Sequence, residues 1–148
     1  MSAWLRGYPW WPLEDALRLL RIVTALLFMA HASMRFAYGS MPSFAAFMEA
    51  RGFAHGLAWV WAITLYELSA GTLLLMNRGV RWAASGLAVI AGVGILLIHR
   101  HNGWFVGEHG TGGSEYSVAL LAMLLVIASH DARRKHDAFR NRGHSDGA

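Results

Sequence analysis

The segment LAWVWAITLYELSAGTLLLM, Leu57 to Met76, runs for twenty residues with one charged side chain, Glu67. A helix crossing the hydrocarbon of a bilayer needs about 20 mostly apolar residues. This segment meets that length and carries its carboxylate near the middle. Similar runs lie on either side: Leu17–Phe36 before it, then Trp82–Ile98 and Ser117–Ser129 after it. The last is short, so it is expected to reach back to Glu115 or on to Asp131, with its ends among the headgroups. Between the first two runs, MPSFAAFMEARGF is too short to cross. Phe44, Phe47 and Met48 recur there at helical spacing, which predicts a short interfacial helix. The fold class is therefore all-α: an integral membrane four-helix bundle with one interfacial helix between its first two spans.

Composition agrees. Hydrophobic residues make up 55% of the 148 and charged ones 15%, against about 25% charged in an average soluble domain. The pI near 10.1 does not argue for nucleic acid, because the basic residues punctuate apolar runs instead of covering a soluble face. There is no cysteine, which excludes thiolate metal sites, iron–sulfur clusters and disulfide exchange. The organisation reads as an aromatic interfacial segment over residues 1–13, a transmembrane domain over 14–131 and a basic tail over 132–148. Trp4, Tyr8, Trp10 and Trp11 suit the headgroup layer. Pro12 opens the first helix, with Glu14 and Asp15 beside the positive end of its dipole. The first run is too long for a signal-peptide core, and no small-residue cleavage site follows it. The tail reads as a lipid-headgroup anchor with a disordered end.

Basic residues set the expected orientation. Arg6, Arg18, Arg21, Arg78, Arg81, Arg133, Arg134, Lys135, Arg140 and Arg142 fall on one side, and Arg35, Arg51 and Arg100 on the other. Under the positive-inside rule both termini are cytoplasmic, and the opposite side would face the periplasm if the membrane is the inner one of a double-membraned bacterium. His31, His55, His99, His101 and His109 then all lie in the outer half.

Helical spacing groups the polar residues into stripes. Thr24, Phe28, His31 and Arg35 share one face of the first span, and Thr64, Glu67 and Gly71 one face of the second. Ser85, Val89, Gly92, Leu96 and His99 align in the third, and Glu115, Ala119, Ala122 and Val126 in the fourth. Small residues let membrane helices approach closely, so these faces are expected to meet. An ionised carboxylate at the depth of Glu67 costs at least ~2.5 kcal/mol, so it must be protonated, paired or hydrated. Plainer readings stand beside each functional one. Glu67 could be a helix-to-helix hydrogen bond, and His31 with Arg35 an interfacial snorkelling pair. His99 and His101 could be helix-end histidines, and Trp104 and Phe105 interfacial belt residues instead of a lid over the outer mouth. A metal held by His99, His101 and His109 matches no known ligand spacing; haem on His31 and His99 is a further alternative.

Six motifs in order resemble the DoxX family: HASMRF in the first span, FAAFMEARGF after it, YELSAG in the second, NRGVRWAA opening the third, HRHNGWF closing it and EYSVALL opening the fourth. The resemblance covers Leu17 to Ser129. It implies a small four-helix prokaryotic membrane protein, in a family that includes a subunit of thiosulfate:quinone oxidoreductase. Family polar positions fall on His31, Arg35, Glu67, Arg81, His99, Asn102, Gly103, Glu115 and Tyr116. Ala32 departs from a frequent glycine, and Arg35 from a frequent lysine, which removes any Schiff-base chemistry there. The implied work is quinone-linked oxidoreduction in which Glu67, His31, His99 and Glu115 handle protons. Arg35, Asn102, Trp104, Phe105 and Tyr116 would hold the ligand. No flavin, nicotinamide or iron–sulfur motif appears, so electrons would come from a substrate or a partner subunit. The expected partners are the lipid bilayer, other protein subunits and a quinone, without nucleic acid. The alternatives are a non-catalytic structural or interaction subunit of a larger complex, and a small permease.

Overall fold

A computed structural model describes residues 11–98, 103–105 and 113–145 of the chain. Those residues form five helices: α1 Leu13–Ala37, α2 Met41–Ala50, α3 Gly56–Leu75, α4 Val80–Leu97 and α5 Glu115–Ser145. Four stretches are long and apolar enough to cross a membrane: Leu13–Ala37, Gly56–Leu75, Val80–Leu97 and Glu115–Arg134. The short α2 is the expected fifth piece.

The boundaries follow from local chemistry. The Pro12 carbonyl accepts from the backbone N–H of Asp15 and Ala16, so α1 starts four residues earlier than its apolar run. Helices α1 and α2 stop in the same way. Gly39 (φ 60°) and Gly52 (φ 91°) take the left-handed conformation just past each end. The next amide then reaches back to the Arg35 or Met48 carbonyl, at 3.0 and 3.1 Å. Asn77 does the same work after α3, with φ 56° and the Arg78 N–H bonded to the Leu73 carbonyl at 2.9 Å. Asparagine is the common substitute for glycine there. These tight stops return the chain antiparallel within a few residues.

Helix α5 departs from expectation at its far end. It continues without a break from Glu115 through the basic stretch to Ser145, where composition read as a disordered end. At 1.5 Å per residue its 31 residues extend about 46 Å, well beyond one bilayer crossing. The tail holds four arginines and three alanines, good helix formers, and no proline, and simply propagates the helix already nucleated by the span.

Helix α4 packs most extensively on α5, and α1 on α3, while α2 lies across the start of α3. The main core joins Ala25 and Phe28 of α1, Ala70 and Leu74 of α3, Ala83, Ala84 and Leu87 of α4, and Leu120, Leu124 and Ile127 of α5. A smaller cluster of Met41, Ala45, Met48 and Val60 seats α2 on α3. The stripes expected on α1 and α3 face inward as read, with Thr24, Phe28, Arg35, Thr64, Glu67 and Gly71 all buried; His31, on the same α1 stripe, is exposed. Those expected on α4 and α5 do not. Val89 and Leu96 are 65% and 59% exposed, Ser85 is exposed, and Ala119, Ala122 and Val126 point outward. In lipid the outside is as apolar as the inside, so small size was the remaining guide. Alpha4 has small residues on both faces, and its inward alanines pack against leucines of α5, not against a second small stripe.

Close packing makes Gly56 decisive for the seat of α2 on α3. A Cβ at Gly56 would overlap the Ala45 carbonyl oxygen and crowd the Glu49 side chain, whereas nothing lies within 4 Å of one at Gly92. Gly56→Ala should therefore push α2 off α3 and cost about 1–3 kcal/mol. Gly92→Ala should be neutral. Thermal unfolding of both variants in detergent checks this, and equal melting points would refute it.

Candidate functional site

Arg35 sits in the last turn of α1 and reaches across to α3. Thr64 and Glu67, three apart, project from one face of α3 toward it. The guanidinium meets Glu67 in a two-pronged pair: Nη1 donates to Oε2 in a short contact and Nη2 to Oε1 at 3.3 Å. Nη1 also donates to Thr64 Oγ1 at 2.9 Å, while that hydroxyl gives its own proton to the Val60 carbonyl at 2.7 Å. The Phe44 ring of α2 covers the guanidinium, its centroid 5.4 Å from Cζ. Only 10% of the Arg35 side chain and 3% of the Glu67 side chain are exposed. Of the states open to a deep carboxylate, Glu67 is thus paired. The same contact takes Arg35 away from the snorkelling role.

This pair forms part of the wall of a cavity of about 580 Å³ between the helices, on the α2 side of the bundle. All five helices contribute. The walls are mostly hydrocarbon, from residues such as Leu27, Phe28, Met48, Ile63, Ile90 and Leu120. Polar groups come from Arg35, Glu67, His31, Tyr38, Tyr116 and Ser117. The cavity is less polar than the sequence suggested: it is an apolar chamber with one neutralised ion pair and a few hydroxyl and imidazole groups. Such a chamber can solvate a hydrocarbon body and hydrogen-bond a small polar head.

The expected site residues separate into three groups. His31, Arg35, Glu67 and Tyr116 come together around the cavity. Glu115 is half-buried at the first turn of α5, outside the cavity lining. Trp104 and Phe105 are 54% and 66% exposed and do not line it either. Their segment serves through its backbone: the Gly103 and Trp104 carbonyls accept from the Ser114 and Glu115 amides at 3.2 and 3.1 Å. This contact fixes where α5 begins, and neither aromatic ring lines the cavity that the two are expected to cover. His99 and Asn102 lie outside the described residues, as do His101 and His109 of the metal alternative and the His99 half of the haem alternative. Among the described residues no three histidine or acidic side chains are grouped to hold a metal.

Two contributors escaped the sequence reading. Tyr38 continues the His31–Arg35 stripe at i+7 and could have been found by extending it one turn. Phe44 was read as an interfacial anchor. Its stacking on Arg35 depends on how α2 folds back over α1, which no periodicity encodes.

A buried pair broken on one side leaves a stranded charge, at a cost of about 3–5 kcal/mol. Glu67→Leu should lose that much stability. Adding Arg35→Met should restore most of it, because an apolar pair of similar volume needs no partner. Melting curves of the single and double variants test this. A double variant no better than the single would mean that the pair does not hold these helices.

The DoxX family model aligns with residues 16–100, which takes in α1 to α4 and more than half of the chain. No curated protein and no solved structure matches it significantly. With the matched stretch containing both partners of the buried pair, this four-span membrane protein belongs to the DoxX family.

Proposed function

We propose that this protein is a membrane subunit of a quinone-linked oxidoreductase, with the quinone headgroup seated in the chamber beside Arg35 and Glu67. The observation that carries the reading is the buried ion pair set into an otherwise apolar cavity of about 580 Å³. That volume lies within the ~300–1,000 Å³ typical of small-molecule sites. An isoprenoid quinone needs an apolar wall for its ring and tail and donors for its carbonyl oxygens. Phe28, Phe44, Met48 and Ile63 supply the wall. His31, Tyr38 and Tyr116 supply groups able to donate, and Arg35 holds a fixed positive charge near the ring. Quinone reduction also takes up two protons, and Glu67 is placed to relay one while Arg35 keeps its carboxylate oriented. The chain has no motif for an electron carrier, so electrons arrive from a partner subunit or a donor substrate.

A second reading has its own support. Arg35, Glu67, Thr64 and Phe44 satisfy one another so fully that the cluster also serves as a strut tying α1, α2 and α3. On that reading the protein is a non-catalytic stabilising subunit. Mass spectrometry of small molecules retained after mild detergent extraction separates the two: the first expects quinone in near-stoichiometric amount, the second none. In the assembled complex, Glu67→Gln should keep the bundle folded yet slow quinone reduction by about 100-fold or more, the scale of a lost general acid or base. Full activity in that variant would reduce Glu67 to the strut.

Orientation belongs to the same proposal. The α1 start, the α3–α4 turn and the distal part of α5 share one end of the bundle and carry nine of the thirteen basic residues, and Arg6 precedes α1 in the chain. With that end in the cytoplasm of a prokaryotic inner membrane, the chamber opens toward the outer leaflet. A reporter fused after Ala148 should be active only in the cytoplasm. Periplasmic activity would invert the topology and move the chamber to the inner leaflet.

A further inference from the structure

At the opposite end of the bundle from the chamber lies a second cavity, of about 190 Å³, between the start of α1, the α3–α4 turn and α5. Its lining is mainly charged. Arg18, Arg21 and Arg134 face it with two carboxylates, Glu14 and Asp131. The carboxylates already have partners: Glu14 meets His130 at 3.2 Å, and Asp131 accepts from the Arg81 amide at 3.3 Å and from Arg134 at 3.4 Å. Arg21 differs from its neighbours. Its Nη1 donates to the Asn77 side-chain oxygen, but it makes no ion pair with any described carboxylate. Its Nε is fully buried with no hydrogen-bond partner.

A buried guanidinium N–H without an acceptor is a costly state that native structures resolve with a bound group. The missing complement is an acceptor carrying negative charge, because Arg18 is paired with Asp15 at 3.2 Å and Arg134 with Asp131 at 3.4 Å, which leaves Arg21 as the guanidinium of this cavity without a carboxylate partner among the described residues. The cavity also has an apolar floor of Leu17, Val80 and Ile127. It lies at the level of the first turns of α1 and the last turns of the fourth span, where Trp11 and Trp82 are exposed. That is the headgroup layer. Basic pockets between membrane helices at this depth suit lipid phosphates, and guanidinium is the group best matched to phosphate oxygens.

We infer that this cavity binds a phosphate group, presented by an anionic phospholipid or free in solution, with Arg21 as the central donor and Arg18 and Arg134 flanking it. Its acceptor oxygens would balance the charge of the Arg21 guanidinium that lines the cavity, and the apolar floor would take the upper glycerol and acyl carbons of a lipid. The site is independent of the quinone reading, since it shares no residue with the chamber.

Binding by the delipidated full-length protein in detergent tests the inference, with native mass spectrometry as readout and phosphatidylglycerol or phosphatidylcholine as probe. Phosphatidylglycerol should bind at least about tenfold more tightly. Arg21→Gln should weaken it about tenfold, as expected for a lost charge-assisted donor. Arg18→Gln should weaken it a few-fold and Glu14→Gln should tighten it a few-fold. These opposite signs at exposed positions keep the test decisive even if Arg21→Gln fails to fold. Displacement of the lipid by millimolar inorganic phosphate would assign the site to the free anion, and retention would assign it to the headgroup; either supports a phosphate site. Equal binding of the two lipids, no binding, or variants that all bind like the parent would overturn it.

Discussion

The contact between Arg35 and Glu67 governs the α2 half of the molecule. Either charge alone would be expelled from a bilayer interior or would draw water into it. Paired, with Thr64 taking a further N–H and Phe44 covering the guanidinium face, they form a neutral unit that hydrocarbon tolerates. Because the partners belong to α1 and α3, and the covering ring to α2, the pair sets the register of three helices at once. The Arg35 carbonyl also receives the amide that ends α1. Charge neutralisation and chain reversal therefore depend on the same residue.

The chamber follows from that arrangement. Helices α1, α2 and α3 are bound together by the pair and by the seat of α2 on α3, and α4 and α5 by their own alanine–leucine interface. The two groups meet over the core near Leu74, Leu87 and Leu124 and part toward the α2 side, where the cavity opens between them. A membrane bundle gains nothing from hydrophobic collapse, since lipid wets its surfaces equally well. A gap between two well-packed groups is then inexpensive to keep, and it lies where a lipid-soluble ligand already partitions. On the proposed reading, the polar groups on its wall would favour a ligand with a small hydrogen-bonding head.

Charge is handled differently at the two ends. On the α2 side the deep Arg35 is matched by Glu67. On the other side arginines exceed carboxylates, and Arg21 keeps an unsatisfied buried N–H. Burial explains the contrast. Beside the chamber an unmatched charge has only hydrocarbon for company, whereas the headgroup layer supplies water, counterions and phosphate. An excess of guanidinium is sustainable there and gives the bundle a fixed depth in the bilayer.

Much of this was legible in the residues. Run length located four spans and the short α2, since crossing hydrocarbon demands about 20 apolar residues whatever the neighbours are. The sequence alone also marked Arg35 and Glu67 as the residues to explain, because a charge inside an apolar run is intelligible only through a partner. It did not reveal which faces of α4 and α5 turn inward. Ser85, Val89 and Leu96 lie on the exposed faces, because in a bilayer both faces of a helix are apolar and periodicity loses its sign. The cover of Phe44 over Arg35, the largely hydrocarbon chamber and the meeting of Arg21 with Asn77 join residues far apart in the chain. Only the tertiary packing decides such contacts, since each depends on where a different helix comes to rest.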